Sequence, residues 1–176
     1  MSKQGQIWIE TVIYTLIGLS IIGLVIGIIK PAIDEKKDKA LIEQSLEMLN
    51  SISSDIDELR YYGTGNARPI EIRIKNGKLE IDSKNDSIIF SIDSSYKYSE
   101  LDQQVTIGKI NITTMRKSKK YAVSLSLGYK DILNLTYNKD EKIKSFQSAA
   151  IPYKIVATNF GSSGMNSLIN IDFSAG

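Results

Sequence analysis

The sequence predicts an α+β protein: a long N-terminal hydrophobic helix that continues into an amphipathic helix packed on a C-terminal antiparallel β domain. Three observations predict it. Residues 11–29 carry no charge and are almost wholly apolar; Ile42, Leu46, Leu49, Ile52, Ile56 and Leu59 recur at spacings of three and four; and beyond Pro69 the apolar period changes to two. The first pattern is long enough for a membrane-spanning or fully buried helix, the second is a helix with one buried face, and the third is a set of half-buried strands. The division that follows is a hydrophobic helix at 6–30, an amphipathic helix at 31–62 and a β head at 69–176.

The uncharged run of residues 11–29 rises roughly 28 Å as a helix, close to the bilayer hydrocarbon thickness of about 30 Å. It is longer than the 7–15 apolar residues, roughly, of a secretory signal and lacks the small-residue cleavage site that ends one. Nothing else in the chain offers an apolar surface large enough to bury it inside a soluble protein. Ser20, Gly23 and Gly27 fall on one helix face, with Gly23 and Gly27 forming a G-x-x-x-G that lets a second helix approach closely. Pro31 is expected to kink a continuous helix or to start a new one. The charges of residues 34–39 then form a collar of mixed sign, so the positive-inside rule assigns no orientation.

Glu10 stands at the very start of the apolar run, where an ionised carboxylate needs a counter-charge. Before it lie Lys3, the small-residue break Gln4-Gly5 and then Gln6-Ile7-Trp8-Ile9. On these residues the first 30 or so positions resemble the type IV pilin family, specifically archaeal pilins with class III signal peptides. Gln4 stands where that family usually has Lys or Arg, and Trp8 where many archaeal members have a small residue. The resemblance implies a leader at 1–5, removed by a membrane prepilin peptidase between Gly5 and Gln6. It implies that Glu10, then the fifth mature residue, meets the freed amine of a neighbouring subunit. The implied partners are copies of the chain or other pilins in a filament, the peptidase, and membrane lipid before assembly. The head would end up outside the cell on a surface filament. The competing expectation is a permanently anchored extracytoplasmic β domain that binds a ligand or partner and never polymerises.

The amphipathic stripe runs to about Tyr61, and residues 62–69 supply stop and turn chemistry through Gly63, Gly65, Asn66 and Pro69. It is too short for a coiled-coil seam and is expected to cover one face of the β domain. Ile70, Ile72 and Ile74 alternate with charged residues, Asn76-Gly77 is a strong hairpin signal, and Leu79 and Ile81 alternate again, which predicts a hairpin. Further strands are expected at 87–95, 105–115, 121–129, 132–138, 153–160 and 167–173, joined by short polar turns such as 161–164. Many short strands so spaced predict an antiparallel sandwich or partial barrel.

With no cysteine, no histidine and a net charge of +2, the chain lacks the commonest general base, thiolate nucleophiles and the usual zinc ligands, and strong nucleic-acid steering is not expected. No phosphate loop or nucleophile elbow occurs, so neither an enzyme nor a cofactor is expected. Asp82 with Asp86, and Asp140 with Glu141, read as solvated turns rather than a calcium site. The basic run at 116–120 reads as a solubilising hairpin tip. Three N-x-[ST] sequons, at Asn85, Asn111 and Asn134, are N-glycosylation acceptors if the head lies outside the cell.

Overall fold

The apolar run and the amphipathic stripe form a single helix, α1 (Lys3–Tyr62), in the computed structural model, which describes residues 3–162, 164 and 167–176, with side chains from Ile7 onward. Pro31 lies inside α1 and does not end it, so the expected boundary at 30/31 is a change of environment within one helix. Proline has no N–H to give the carbonyl four residues back, and here that carbonyl belongs to Gly27.

Among the described residues ten strands follow: β1 (Ala67–Ile72), β2 (Lys78–Asp82), β3 (Ser87–Ser94), β4 (Gln104–Ile107), β5 (Ile110–Lys117), β6 (Lys120–Gly128), β7 (Leu133–Tyr137), β8 (Ile143–Gln147), β9 (Tyr153–Gly161) and β10 (Ile169–Ala175). They make two sheets, one in the order β1-β9-β10-β7 and the other in the order β4-β5-β6-β3-β2-β8. Inward-facing residues of both sheets, such as Ile72, Leu135 and Phe173 on the first and Leu79, Phe90 and Leu125 on the second, form one core with the helix stripe. All six stripe residues, Ile42 to Leu59, are buried, each contributing about 1.5–3 kcal/mol of apolar burial. The helix touches β1 and β9 of one sheet and β3, β5 and β6 of the other, so it closes the open side of a sandwich rather than covering one face.

Four expectations are corrected. β1 and β2 do not pair: β1 lies against β9, and β2 lies between β3 and β8 in the other sheet. The Asn76-Gly77 turn carries the chain across the core, and it is glycine-specific, because Gly77 has φ +89° and a Cβ there would sit 2.5 Å from the Ser91 carbonyl oxygen. Alternation and turn chemistry report that the chain reverses, not which strand it meets. The expected strand at 105–115 is a hairpin of β4 and β5 folded at Gly108-Lys109, with positive φ at Gly108 alone, the pattern of a type II′ turn. β8 is a strand that Lys144 and its short apolar content concealed. Finally, among these ten strands the antiparallel rule has one exception, the parallel pair β7 and β10, which arises because the chain crosses between the sheets on either side of β8. The basic run at 116–120 does form a hairpin tip, closed by the Lys117–Lys120 pair. Of the expected turn at 161–164, Ser163 lies outside the described residues.

Candidate functional site

The feature that sets this molecule apart is the arm, the part of α1 that projects from the head. From Ile7 to Lys37 its side chains are almost all exposed, among them Trp8, Leu16, Leu24 and Ile28. A helix apolar on every side is stable in lipid or inside a protein assembly, not in water. Among the described residues α1 alone is long and apolar enough to cross a membrane, which makes the chain compatible with membrane insertion. The hydroxyls of the arm are arranged for such surroundings. Thr11, Thr15 and Ser20 donate to the carbonyls of Ile7, Thr11 and Leu16, at 2.9, 2.7 and 2.8 Å, so each is satisfied within the helix.

Glu10 is not satisfied in that way. Its exposed carboxylate has no hydrogen bond or ion pair among the described residues. It follows Gln6 by one turn, about 6 Å along the axis. The backbone of Gly5 and Gln6 is helical, their side chains lie outside the described residues, and Met1 and Ser2 of the expected leader lie outside them altogether. Gly23 and Gly27 face open space, since a Cβ on either would meet nothing within 4 Å, so within one chain no packing demands glycine there.

The arm enters the head through a lock. Asp38 is buried, and its Oδ2 accepts the Ser95 backbone N–H at 2.6 Å. The Lys39 ammonium lies 5.7 Å from the centroid of the Tyr96 ring. Tyr98 packs against the core nearby, and its pKa is raised by burial first and by the charge of Glu43 second. A second set of contacts fixes the other end of the helix. Asn159 Nδ2 donates to the Leu59 carbonyl at 2.8 Å, Arg68 bonds Asp55 at 2.8 Å and also pairs with Glu58, and Lys109 pairs with Asp57. Asp55 is the main reason the Arg68 guanidinium holds its proton more tightly than usual. Between the two ends, the buried Tyr129 and Ser53 hydroxyls make no hydrogen bond among the described residues. Burial dominates in pushing the Tyr129 pKa upward.

The two carboxylate pairs are engaged within the chain. Asp82 accepts the N–H groups of Lys84 and Asn85, Asp86 accepts that of Leu135, and Asp140 pairs with Lys142. Among the described residues no cluster of three or more acidic side chains could hold a metal. The sequons differ sharply. Asn85 is exposed in a turn, with its amide donating to Asp82 at 2.8 Å, and Asn111 is half-exposed and accepts the Thr106 hydroxyl. Asn134 lies on β7, and the hydroxyl of its sequon Thr136 is buried, donating to Asp172 at 2.7 Å.

Sequence reasoning passed over Asp38, because it lies in a charged collar that reads as solvated. The stripe itself held the signal: one turn back from Ile42 falls Asp38. Fold and arm together define the class, an α+β protein whose long apolar helix carries a β-sandwich head. Comparison of the chain with protein-family models, with curated proteins and with solved structures returns no match.

Proposed function

We propose that this chain is a structural subunit of a type IV pilin-like surface filament of the archaeal kind, cut by a prepilin peptidase between Gly5 and Gln6 and polymerised through its arm. The observation that carries the reading is the arm, apolar all round, free of the head, and bearing at its outer end a carboxylate with no partner among the described residues. After cleavage the Gln6 amine would begin the mature helix. Glu10 would then lie near its N-terminus, where a carboxylate gains about 0.3–1 kcal/mol from the helix dipole, and could pair with the amine of an adjacent subunit. Bilayer and filament core are both apolar, so the same arm serves before and after assembly. The role is structural rather than catalytic, and the head would face outward on the cell surface, in adhesion or as an archaellin-like or minor subunit.

The length of the uncharged run, which suits a bilayer, equally favours a permanent single-span anchor. One experiment separates the two: N-terminal sequencing of the mature protein, with electron microscopy of surface filaments. A terminus at Gln6 in filament material supports the proposal. An uncut Met1 or Ser2 terminus in membranes without filaments moves the anchored domain ahead.

A further inference from the structure

The basic run at 116–120 lies at one particular end of the head. Strand β5 starts beside the far end of the helix, where Lys109 pairs with Asp57, and runs back past α1 toward the arm. At its other end Arg116 stands opposite Tyr121, and Tyr121 opposite Ser94, the neighbour of the Ser95 whose N–H Asp38 accepts. The turn at Ser118 and Lys119 therefore projects on the side from which the arm leaves.

Element lengths fix its level. From Asp38 back to Lys30, the first charge after the uncharged run, α1 covers about 12 Å. Beyond Arg116 the hairpin reaches about 5–7 Å in the same direction, at about 3.3 Å per residue. The tip thus stands about 5–7 Å from the level at which the apolar run ends. That gap matches one headgroup layer, since a bilayer about 40–45 Å thick has a hydrocarbon core of about 30 Å. It is also shorter than the Debye length of about 8 Å at physiological salt.

Arg116, Lys117, Lys119 and Lys120 place four exposed cations on this tip, in a chain whose net charge is +2. Among the described residues only Lys117 of the four meets a carboxylate, that of Asp93 at 3.0 Å. Lys36 and Lys37 lie at a similar level on α1 but are offset by Asp34 and Glu35, so the tip carries the local excess. We propose that the β5–β6 tip binds the anionic headgroups of the membrane that holds the arm. An arm alone leaves the tilt of the head open, and the tip leans its β5–β6 side onto the lipid. The proposal rests on the arm lying in a bilayer, which the filament and anchor readings share. Each basic residue beside an anionic leaflet strengthens binding about fivefold, so the three cations without a carboxylate contribute on the order of a hundredfold.

The chain has no cysteine, so Ser118→Cys supplies a sole attachment point for a fluorophore, and Lys130→Cys, exposed beyond the opposite end of β6, supplies the control. Full-length protein is reconstituted into phosphatidylcholine vesicles, with or without roughly one-third phosphatidylglycerol, that carry a quencher on their headgroups. Flotation reports insertion of the arm, and quenching reports the tip. The protein should float with both compositions, with quenching at position 118 at least about threefold stronger in the anionic vesicles and that at position 130 unchanged. Salt at about 0.5 M should remove the excess, as should Arg116→Gln, Lys119→Gln and Lys120→Gln together, with the melting curve of the head unchanged. Floating protein whose position 118 is quenched equally in both compositions overturns the tip's role and leaves the arm's intact. So does an excess that survives loss of the three charges. Failure to float with either composition overturns both.

Discussion

The Asp38 carboxylate accepts the Ser95 backbone N–H at 2.6 Å across 57 residues of chain. It joins the helix, at the turn where the arm becomes a core element, to the end of β3. Neighbouring contacts reinforce it, since Ser94 Oγ accepts the Tyr96 N–H and Lys39 lies over the Tyr96 ring. The loop after β3 is therefore the socket from which the arm leaves the head.

Asp38→Ala should lower stability by about 1–3 kcal/mol, because it strips a partly buried N–H of a charged acceptor. Asp38→Asn keeps an acceptor oxygen and should recover most of the loss. Denaturant titration of the full chain in detergent, followed by a probe in the head, checks this. An Asp38→Ala midpoint equal to that of wild type would show that the lock contributes nothing.

Two glycines with positive φ should respond differently to alanine. At Gly77 the new Cβ would press on the Ser91 carbonyl oxygen at 2.5 Å, so Gly77→Ala should cost more than about 2 kcal/mol. At Gly108, φ is +60° but nothing lies within 4 Å, so Gly108→Ala should cost only backbone strain, about 1–3 kcal/mol, without the clash that Gly77→Ala adds to the same strain. Thermal melts of the two variants test the difference, and equal shifts would contradict it.

Tyr129 should impose an alkaline limit on stability. Its folded pKa lies above its ordinary value of 10, because burial disfavours the phenolate. The unfolded chain therefore loses this proton first. The contribution is intact below pH 10 and is lost as pH rises past it, with a slope approaching about 1.4 kcal/mol per pH unit for a single group. Tyr129→Phe should flatten that slope. At neutral pH it should change stability by less than about 1 kcal/mol, since the hydroxyl has no partner to lose among the described residues. Stability measured between pH 8 and pH 11, roughly, separates the two proteins; parallel curves would rule Tyr129 out as the titrating group.

Glu10→Gln keeps the shape of the arm and removes its charge. Under the filament proposal, membrane insertion and cleavage stay near normal, while filament formation or incorporation beside wild-type subunits falls markedly, as breaking a buried pair costs about 3–5 kcal/mol. Gly5→Val should block cleavage and leave insertion intact. Filaments from Glu10→Gln as abundant as wild type, at matched expression, would refute a register role for Glu10.

Much of this architecture is legible along the chain, because burial with a fixed period leaves a periodic trace. The stripe from Ile42 to Leu59 and the alternation through Ile88, Phe90 and Ile92 appear in the structure as buried faces. Pairing is not periodic, and so Ile70 to Ile81 reads as a hairpin although its strands belong to different sheets. Gly108 was hidden inside an otherwise continuous strand pattern, and β8 by its shortness and by Lys144. Of the candidate site, Glu10 and the small-residue face are visible because each departs from its surroundings. Asp38 and Asn159 are not, because their significance depends on Ser95 and Leu59, which only folding brings near.

One helix serves both as arm and as core element, with Pro31 inside it, and this fixes angular phase as well as position. Each residue turns the helix by about 100° and advances it by about 1.5 Å. The number of residues between Gly27 and Asp38 thus sets the direction in which Ser20, Gly23 and Gly27 point relative to β4 and the rest of the head. Deleting a single collar residue would leave composition, hydropathy and head nearly untouched while swinging every arm side chain through more than a quarter of a turn. The collar is therefore a gauge of fixed length, and only insertions near whole numbers of turns would leave the bearing of head to arm unchanged.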